Sequence, residues 1–278
     1  MIPPPAPGKT LLTEAVGLKE GISRHRYNAI DALNYSSMKY LLESPLHMKS
    51  RATFVPTDAT DFGNILDAIM CNDKEVFVVS PYDNFRTKMA QEWRDKVRND
   101  GFIIADPIDV EACVRIHRSM MEHPKTGKVL STAKKQLCIV GMLNNVAVKG
   151  LADLVVIQGK KCMIADLKTT NDISDHAWQN KVFSMDYHVQ AATYTALMEA
   201  NGYEVVSYKW LLAENCKPYD WRWVTFNKDD LEFSKKIVAQ AVDLYRQCRA
   251  ANTWPGYDKD TSTVISLPAF AKPNLGSD

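Results

Sequence analysis

This sequence holds no closely spaced cysteines, no long apolar run and almost no excess of charge. Its six cysteines, Cys71, Cys113, Cys138, Cys162, Cys216 and Cys248, are scattered over 278 residues without a CxxC pair. Zinc and iron–sulfur sites usually draw cysteines from short, regular spacings. Neither is therefore expected, and the thiols read as small apolar residues of a reducing compartment. The uninterrupted apolar runs fall well short of the ~18–20 residues that cross a bilayer, so no membrane association is expected. The opening "MIPPPAPGKT" lacks the basic and apolar regions of a secretory signal and reads as a loose arm. A cytoplasmic protein is expected. A net charge of +1 names no partner by itself, although a local stripe can supply a field that the total conceals. Two stripes stand out: Arg86, Lys88, Arg94, Lys96 and Arg98, and Lys39, Lys49 and Arg51. Both read as solvated helix faces.

Apolar periodicity and punctuation supply the elements. Asn34 followed by "YSSMKYLLES" predicts a capped helix that stops before Pro45. "ATDFGNILDAIMC" has helical apolar spacing and carries Asp67 with it. A charged helix is expected over 86–99, and Asp106-Pro107 opens another. From Lys135 the period becomes extended. "QLCIVGML", "VAVKGLADLVVI" and "CMIADLKT" are strands separated by Asn144-Asn145 and Gly159-Lys160, both suited to two-residue hairpin turns. Helices over about 174–183 and 187–200, strands "EVVSYKWLLAE" and "WRWVTF", and a long amphipathic helix after Asn227 complete the order. This predicts an α+β fold with a central mixed β-sheet flanked by helices, an α/β/α-like sandwich. The expected organisation is an arm over 1–30, one domain over 31–270 and a tail over 271–278. Within the domain, 31–130 should be helical and 131–250 should form the core.

Two carboxylates sit inside these apolar strands. With Gly159-Lys160 as the turn, Gln158 faces Lys161, Val156 faces Met163 and Asp153 faces Asp166. Directly opposed residues hold their Cβ atoms ~4.5–5.5 Å apart, and Lys168 shares the Asp166 face by alternation. The same arithmetic at Asn144-Asn145 places Gln136 opposite Asp153. One patch on one face is thus expected to hold Gln136, Asp153, Asp166 and Lys168. Opposed like charges destabilise a sheet, and a divalent cation between them answers the geometry better than the lysine alone. Hard oxygen ligands favour Mg²⁺, with Mn²⁺ able to substitute. A metal-bound water beside a lysine suits phosphodiester hydrolysis.

Asp153 followed by Asp166-x-Lys168 on the next strand resembles the PD-(D/E)xK nuclease motif, with its restriction-endonuclease-like core. Downstream, "YHVQAATY" sets Gln190 and Tyr194 one turn apart, similar to the QxxxY motif of RecB-like and RecE-like exonucleases. "NYSSMKYLLESPLHM", "FGNILDAIM" and "WPGY" resemble the RecE-like (exonuclease VIII type) group, and the likeness spans about residues 30–270. The resemblance implies that Asp153 and Asp166 bind metal with the Leu167 carbonyl, that Lys168 positions the attacking water, and that Gln190 and Tyr194 support the site. It implies an Mg²⁺-dependent DNA exonuclease resecting linear double-stranded DNA ends from the 5′ side, encoded by a phage or prophage. The partners it implies are a single-strand annealing (RecT-like) protein and further copies of the chain in a homo-oligomer.

Three positions depart from the family pattern. Asp67 stands for its histidine in the "FG" helix and can still ligate Mg²⁺. Gln136 stands for a glutamate, which lowers the negative charge and weakens a second metal. Leu151 stands for an arginine after "KG", removing a phosphate contact. These changes keep two rivals in view: a RecB-like nuclease of another repair or defence system, and a non-catalytic DNA-binding or assembly protein on a decayed nuclease fold. Cluster-bearing relatives are disfavoured, since only Cys216 and Cys248 follow the QxxxY helix. His176 and His188 fit no metal spacing, and Trp178, Trp210, Trp221 and Trp223 read as packing residues.

Overall fold

The computed structural model describes residues 16–50, 58–72 and 76–266. In chain order its elements begin with β1 (Gly17–Lys19), α1 (Arg24–Ala29), β2 (Leu33–Asn34), α2 (Tyr35–Glu43), α3 (Pro45–Ser50) and α4 (Asp58–Cys71). Next come β3 (Phe77–Val79), α5 (Lys88–Asn99), β4 (Ile103–Ala105), α6 (Pro107–Glu122) and α7 (Pro124–Thr132). The central part is β5 (Lys134–Leu143), β6 (Val146–Gln158), β7 (Lys161–Thr170), α8 (Asp175–Ser184) and α9 (Tyr187–Ala200). The chain continues with β8 (Glu204–Glu214), β9 (Trp221–Thr225) and α10 (Lys228–Ala251).

Local chemistry sets the element starts. Asn34 accepts from the Ser37 N–H at 2.8 Å ahead of α2, and Asp106 accepts from the Ile108 N–H at 2.7 Å ahead of Pro107 in α6. Asn227 accepts from the Asp229 and Asp230 N–H groups to open α10. Each bond satisfies a donor that a first helical turn leaves without a partner. The hairpins form where expected. Asn144 and Asn145 both take positive φ (45° and 61°), as a type I′ turn demands, and Gly159 takes φ 61°.

The main sheet has the order β1-β5-β6-β7-β8-β9, with β2 added beside β6. β7–β8 and β2–β6 are parallel; the other neighbours are antiparallel. One face buries Met38 of α2, Val189 and Leu197 of α9 and Val242 of α10. The opposite face buries Ile65 and Leu66 of α4, Ile116 of α6 and Leu130 of α7. Helices on both faces of a mixed sheet make the expected α/β/α-like sandwich, and their apolar sides cover most of the inward-facing strand residues.

Several elements were not legible. Residues 17–29, placed by composition in a loose arm, form β1 and α1: β1 pairs with β5, and Tyr27 of α1 is buried. The rest of that arm, residues 1–15, lies outside the described residues, as do Arg51 and the 271–278 tail. Among the described residues, no helix is long and apolar enough to cross a membrane.

Candidate active site

Pairing of β6 with β7 runs from Gln158/Lys161 to Leu154/Ala165 and stops there. Further along the same edge of β6, β2 takes over at Val148 and Lys149. Residues 150–153 are left as an opening in the sheet. At its lip the Leu167 N–H, which would have faced a backbone partner, donates to Asp153 Oδ2 at 2.8 Å. An extended residue sends its N–H and C=O to the same edge, so the Leu167 carbonyl faces the opening too. A polar cavity of about 330 Å³ continues it, lined by Arg24, Ser36, Lys149, Leu151, Gln190 and Tyr194 among others.

The strands also invert here. Lys135/Leu154 and Leu137/Ala152 pair on either side of Gln136 in the expected register, but Gln136 itself takes φ 47°. Ala152 packs with the α9 layer, whereas Leu154, two residues on, packs with the α4 layer. A positive φ outside glycine costs on the order of 1–3 kcal/mol and persists only where its surroundings hold it. What holds it is visible: Gln136 Nε2 donates to Asp67 Oδ1 (2.9 Å), Asp67 Oδ2 (2.8 Å) and Asp153 Oδ1 (3.3 Å). The single-face patch expected from strict alternation is therefore corrected. Asp166 and Lys168 stay on the α9 side, Gln136 turns toward Asp67 on α4, and Asp153 lies between them in the opening.

Helix α9 closes the site from its side. Gln190 Nε2 donates to Asp166 Oδ1 at 3.1 Å and to the Tyr194 hydroxyl at 3.3 Å. The Lys168 ammonium pairs with Asp166 Oδ2 and stands 5.0 Å from the centre of the Tyr187 ring. Tyr187 escaped the sequence reading, yet it lies three residues before Gln190 on the same helix face, which was a usable signal. The glycine of "KGLAD" is steric: a Cβ on Gly150 would lie 2.7 Å from the Tyr194 ring. Lys149 is buried and donates to the carbonyls of Tyr27, Asn28 and Ile30, at the end of α1. On the other side, a Cβ on Gly63 would meet the Thr169 hydroxyl at 2.9 Å, so its absence lets α4 bring Asp67 close to the sheet.

The electrostatics follow from burial. Burial pushes the Asp153 carboxyl well above the usual carboxylate range, and the charges of Asp166 and Asp67 push it further; Lys168 and the Leu167 N–H pull against them. Asp67 is raised by burial, which the Gln136 amide opposes. Burial works against the Lys168 charge, but Asp166 and Asp153 outweigh it and raise the ammonium above its ordinary value. Tyr194 is driven far upward by burial and remains a neutral phenol.

Among the described residues, no three His, Cys, Asp or Glu side chains form a ready-made metal cage. The donors present nevertheless suit a hard cation: two carboxylates and a carbonyl at one opening are what Mg²⁺ takes while keeping several waters. A nearby cation would also relieve the crowding that raises Asp153. Among the described residues, the buried Gln190 Oε1 has no hydrogen-bond partner beside Asp166, so an acceptor stands ready for an ordered water. Asp67 is one amide removed from Asp153, with both oxygens accepting from Gln136.

The other singled-out residues behave structurally. Trp178 and Trp210 are in the core, while Trp221 and Trp223 pack at the sheet edge and donate to Ser119 and Thr126. His188 contacts Ser234, and His176 is exposed beside Asn180. Leu151 packs against the cluster around Tyr27.

A family model described as a PDDEXK-like domain of unknown function (DUF3799) matches residues 34–263. The chain belongs to this PDDEXK-like family. A solved structure from Eubacterium rectale, named as a candidate exonuclease, superposes on this PDDEXK-like chain with a TM-score of 0.61 at 13% identity. That likeness covers 90% of this chain and 96% of the other. A phage-related exonuclease from Haemophilus somnus is similar at 14% identity over 80% of this chain and 96% of its own, with a TM-score of 0.34. The first supports the shared fold; the second is too distant to add to it. No curated protein matches the sequence.

Proposed function

We propose that this PDDEXK-like protein is an Mg²⁺-dependent exonuclease that hydrolyses phosphodiester bonds at the ends of linear double-stranded DNA, with Mn²⁺ able to replace Mg²⁺. The observation that carries the proposal is the opening between β6 and β7. There the Leu167 N–H donates to Asp153, Lys168 pairs with Asp166, and Gln190 holds the other Asp166 oxygen. Asp153, Asp166 and the Leu167 carbonyl would hold the cation. When bound, it would supply Lewis-acid activation of water and phosphate.

The chain's own residues do the rest. Gln190 fixes the Asp166 carboxylate, and its free Oε1 orients a water. Lys168, charged at neutral pH, positions the nucleophile and offsets the charge that builds on the phosphoryl oxygens; an ammonium held this firmly is a poor base. Tyr194 braces Gln190 through its hydroxyl, and Tyr187 shields one side of the ammonium. The RecE-like resemblance supports 5′-to-3′ resection, a single-strand annealing partner, a ring-like homo-oligomer and a cytoplasmic place of action.

The test is nucleotide release from end-labelled linear duplex and from covalently closed circular duplex, each with Mg²⁺ or chelator. Release from the linear duplex alone, with Mg²⁺ alone, supports the proposal. Cutting of the circle would make the protein an endonuclease. Retention of linear duplex without cleavage would favour a DNA-binding protein on an inactive fold.

A further inference from the structure

We propose that Gln136 makes this a one-cation site, its amide filling the place between Asp67 and Asp153 that a second divalent ion would take. The proposal rests on the nuclease reading and concerns how many ions the protein itself holds.

The geometry is specific. Ionised carboxylates only accept hydrogen bonds, so the end of the amide facing three carboxylate oxygens must be its NH₂ group. That group has two hydrogens, and the contacts use both. One is shared between the two Asp67 oxygens at 2.9 and 2.8 Å, and the other points to Asp153 Oδ1 at 3.3 Å. A small donor thus stands between two half-buried acids, as a bridging cation would, but without a formal charge. The left-handed backbone at Gln136 delivers it there from the middle of a strand. To enter, an ion would have to expel this donor, turn the amide over and give up all three hydrogen bonds.

The other side of Asp153 is built differently. Among the described residues, Asp153 Oδ2 accepts only from the Leu167 N–H, next to Asp166, where Gln190 and Lys168 hold the carboxylate in place. Each carboxylate oxygen has a second lone pair to offer. The single ion therefore belongs between Asp153 and Asp166. Asp67 is then a positioning residue: it anchors the Gln136 amide and, through it, the rotamer of Asp153.

The experiment counts bound Mn²⁺ on the full-length protein without DNA, by the loss of the free-ion electron paramagnetic resonance signal, and checks folding by circular dichroism. Wild type should bind one ion. Asp166→Asn should bind none. Asp67→Asn should still bind one, because Asp67 is not a ligand. Gln136→Glu, which replaces the donor with a third acid, should bind two. Two ions on wild type, loss of the ion in Asp67→Asn, or a single ion on folded Gln136→Glu would overturn the proposal while leaving the nuclease reading standing. No ion on wild type would remove both. If Gln136→Glu does not fold, the wild-type and Asp67→Asn counts decide.

Discussion

Replacing Asp153 by asparagine should stabilise the metal-free protein. Asp153 and Asp166 come from opposed positions of the β6–β7 hairpin, just past the last backbone pair at Leu154/Ala165. Ladder pairing would set such groups about 5 Å apart; pairing has ended here, so that spacing serves only as the scale of the separation. Two unit charges at that distance repel by about 3 kcal/mol at an effective dielectric near 20. This is an upper bound, because Lys168 is paired with Asp166 and attracts Asp153 as well. Asparagine keeps the shape and can still accept from the Leu167 N–H. Its NH₂ would face Gln136, whose amide must rotate to present Oε1 there while Nε2 keeps Asp67. Exchanging two charge-assisted hydrogen bonds for neutral ones costs about 1 kcal/mol each. The net gain is then on the order of 1 kcal/mol, or about 2 °C in Tm for a chain of this size. Thermal unfolding in chelator should show that upward shift. Across an Mg²⁺ titration the gap should close or reverse, since only wild type gains fully from binding. A lower Tm for Asp153→Asn in chelator, with equal responses to Mg²⁺, would refute the placement of two uncompensated acids around a cation.

The pH dependence of the metal-free protein should carry the same signature. A carboxyl whose folded pKa is raised, as for Asp153 and Asp67, binds more protons folded than unfolded. Stability therefore falls as pH rises from about 4 through the folded value. Denaturant unfolding in chelator between pH 4 and 8 should show a shallower fall for Asp153→Asn than for wild type; parallel curves would mean that Asp153 is not strained. Lys168, raised above its ordinary value, stays charged throughout this window and adds no slope. Gly150→Ala should lower stability by about 1–3 kcal/mol through overpacking against the Tyr194 ring, read from the urea midpoint at constant m-value. An unchanged midpoint would mean that the ring yields freely.

The parts of the fold legible in the sequence are those with short-range causes. Asn144-Asn145 and Gly159-Lys160 announce the two turns, and turn positions fix pairing all the way to Leu154/Ala165. The caps at Asn34, Asp106 and Asn227 mark three helix starts by one side chain each. What failed needed longer-range information. β1 and β2 are too short to show periodicity and exist because β5 and β6 offer edges to pair with. The inversion at Gln136 depends on Asp67, 69 residues away, and no local pattern signals a left-handed glutamine in a strand. Asp153, Asp166 and Lys168 stood out as two acids and a lysine placed by the hairpin turn, and Gln190 and Tyr194 through the resemblance to the QxxxY motif; the structure brings these side chains together. Tyr187, three residues before Gln190, carried the same kind of helical signal and was passed over.

The most direct test of the central claim is single-turnover hydrolysis of end-labelled linear duplex DNA by wild type and Lys168→Ala at saturating Mg²⁺, with folding checked by circular dichroism. If Lys168 offsets transition-state charge, its removal should lower the rate by at least about 10²-fold, the loss typical of one such group, in a protein that stays folded. A wild-type rate from folded Lys168→Ala would contradict the assignment of this opening as the active site.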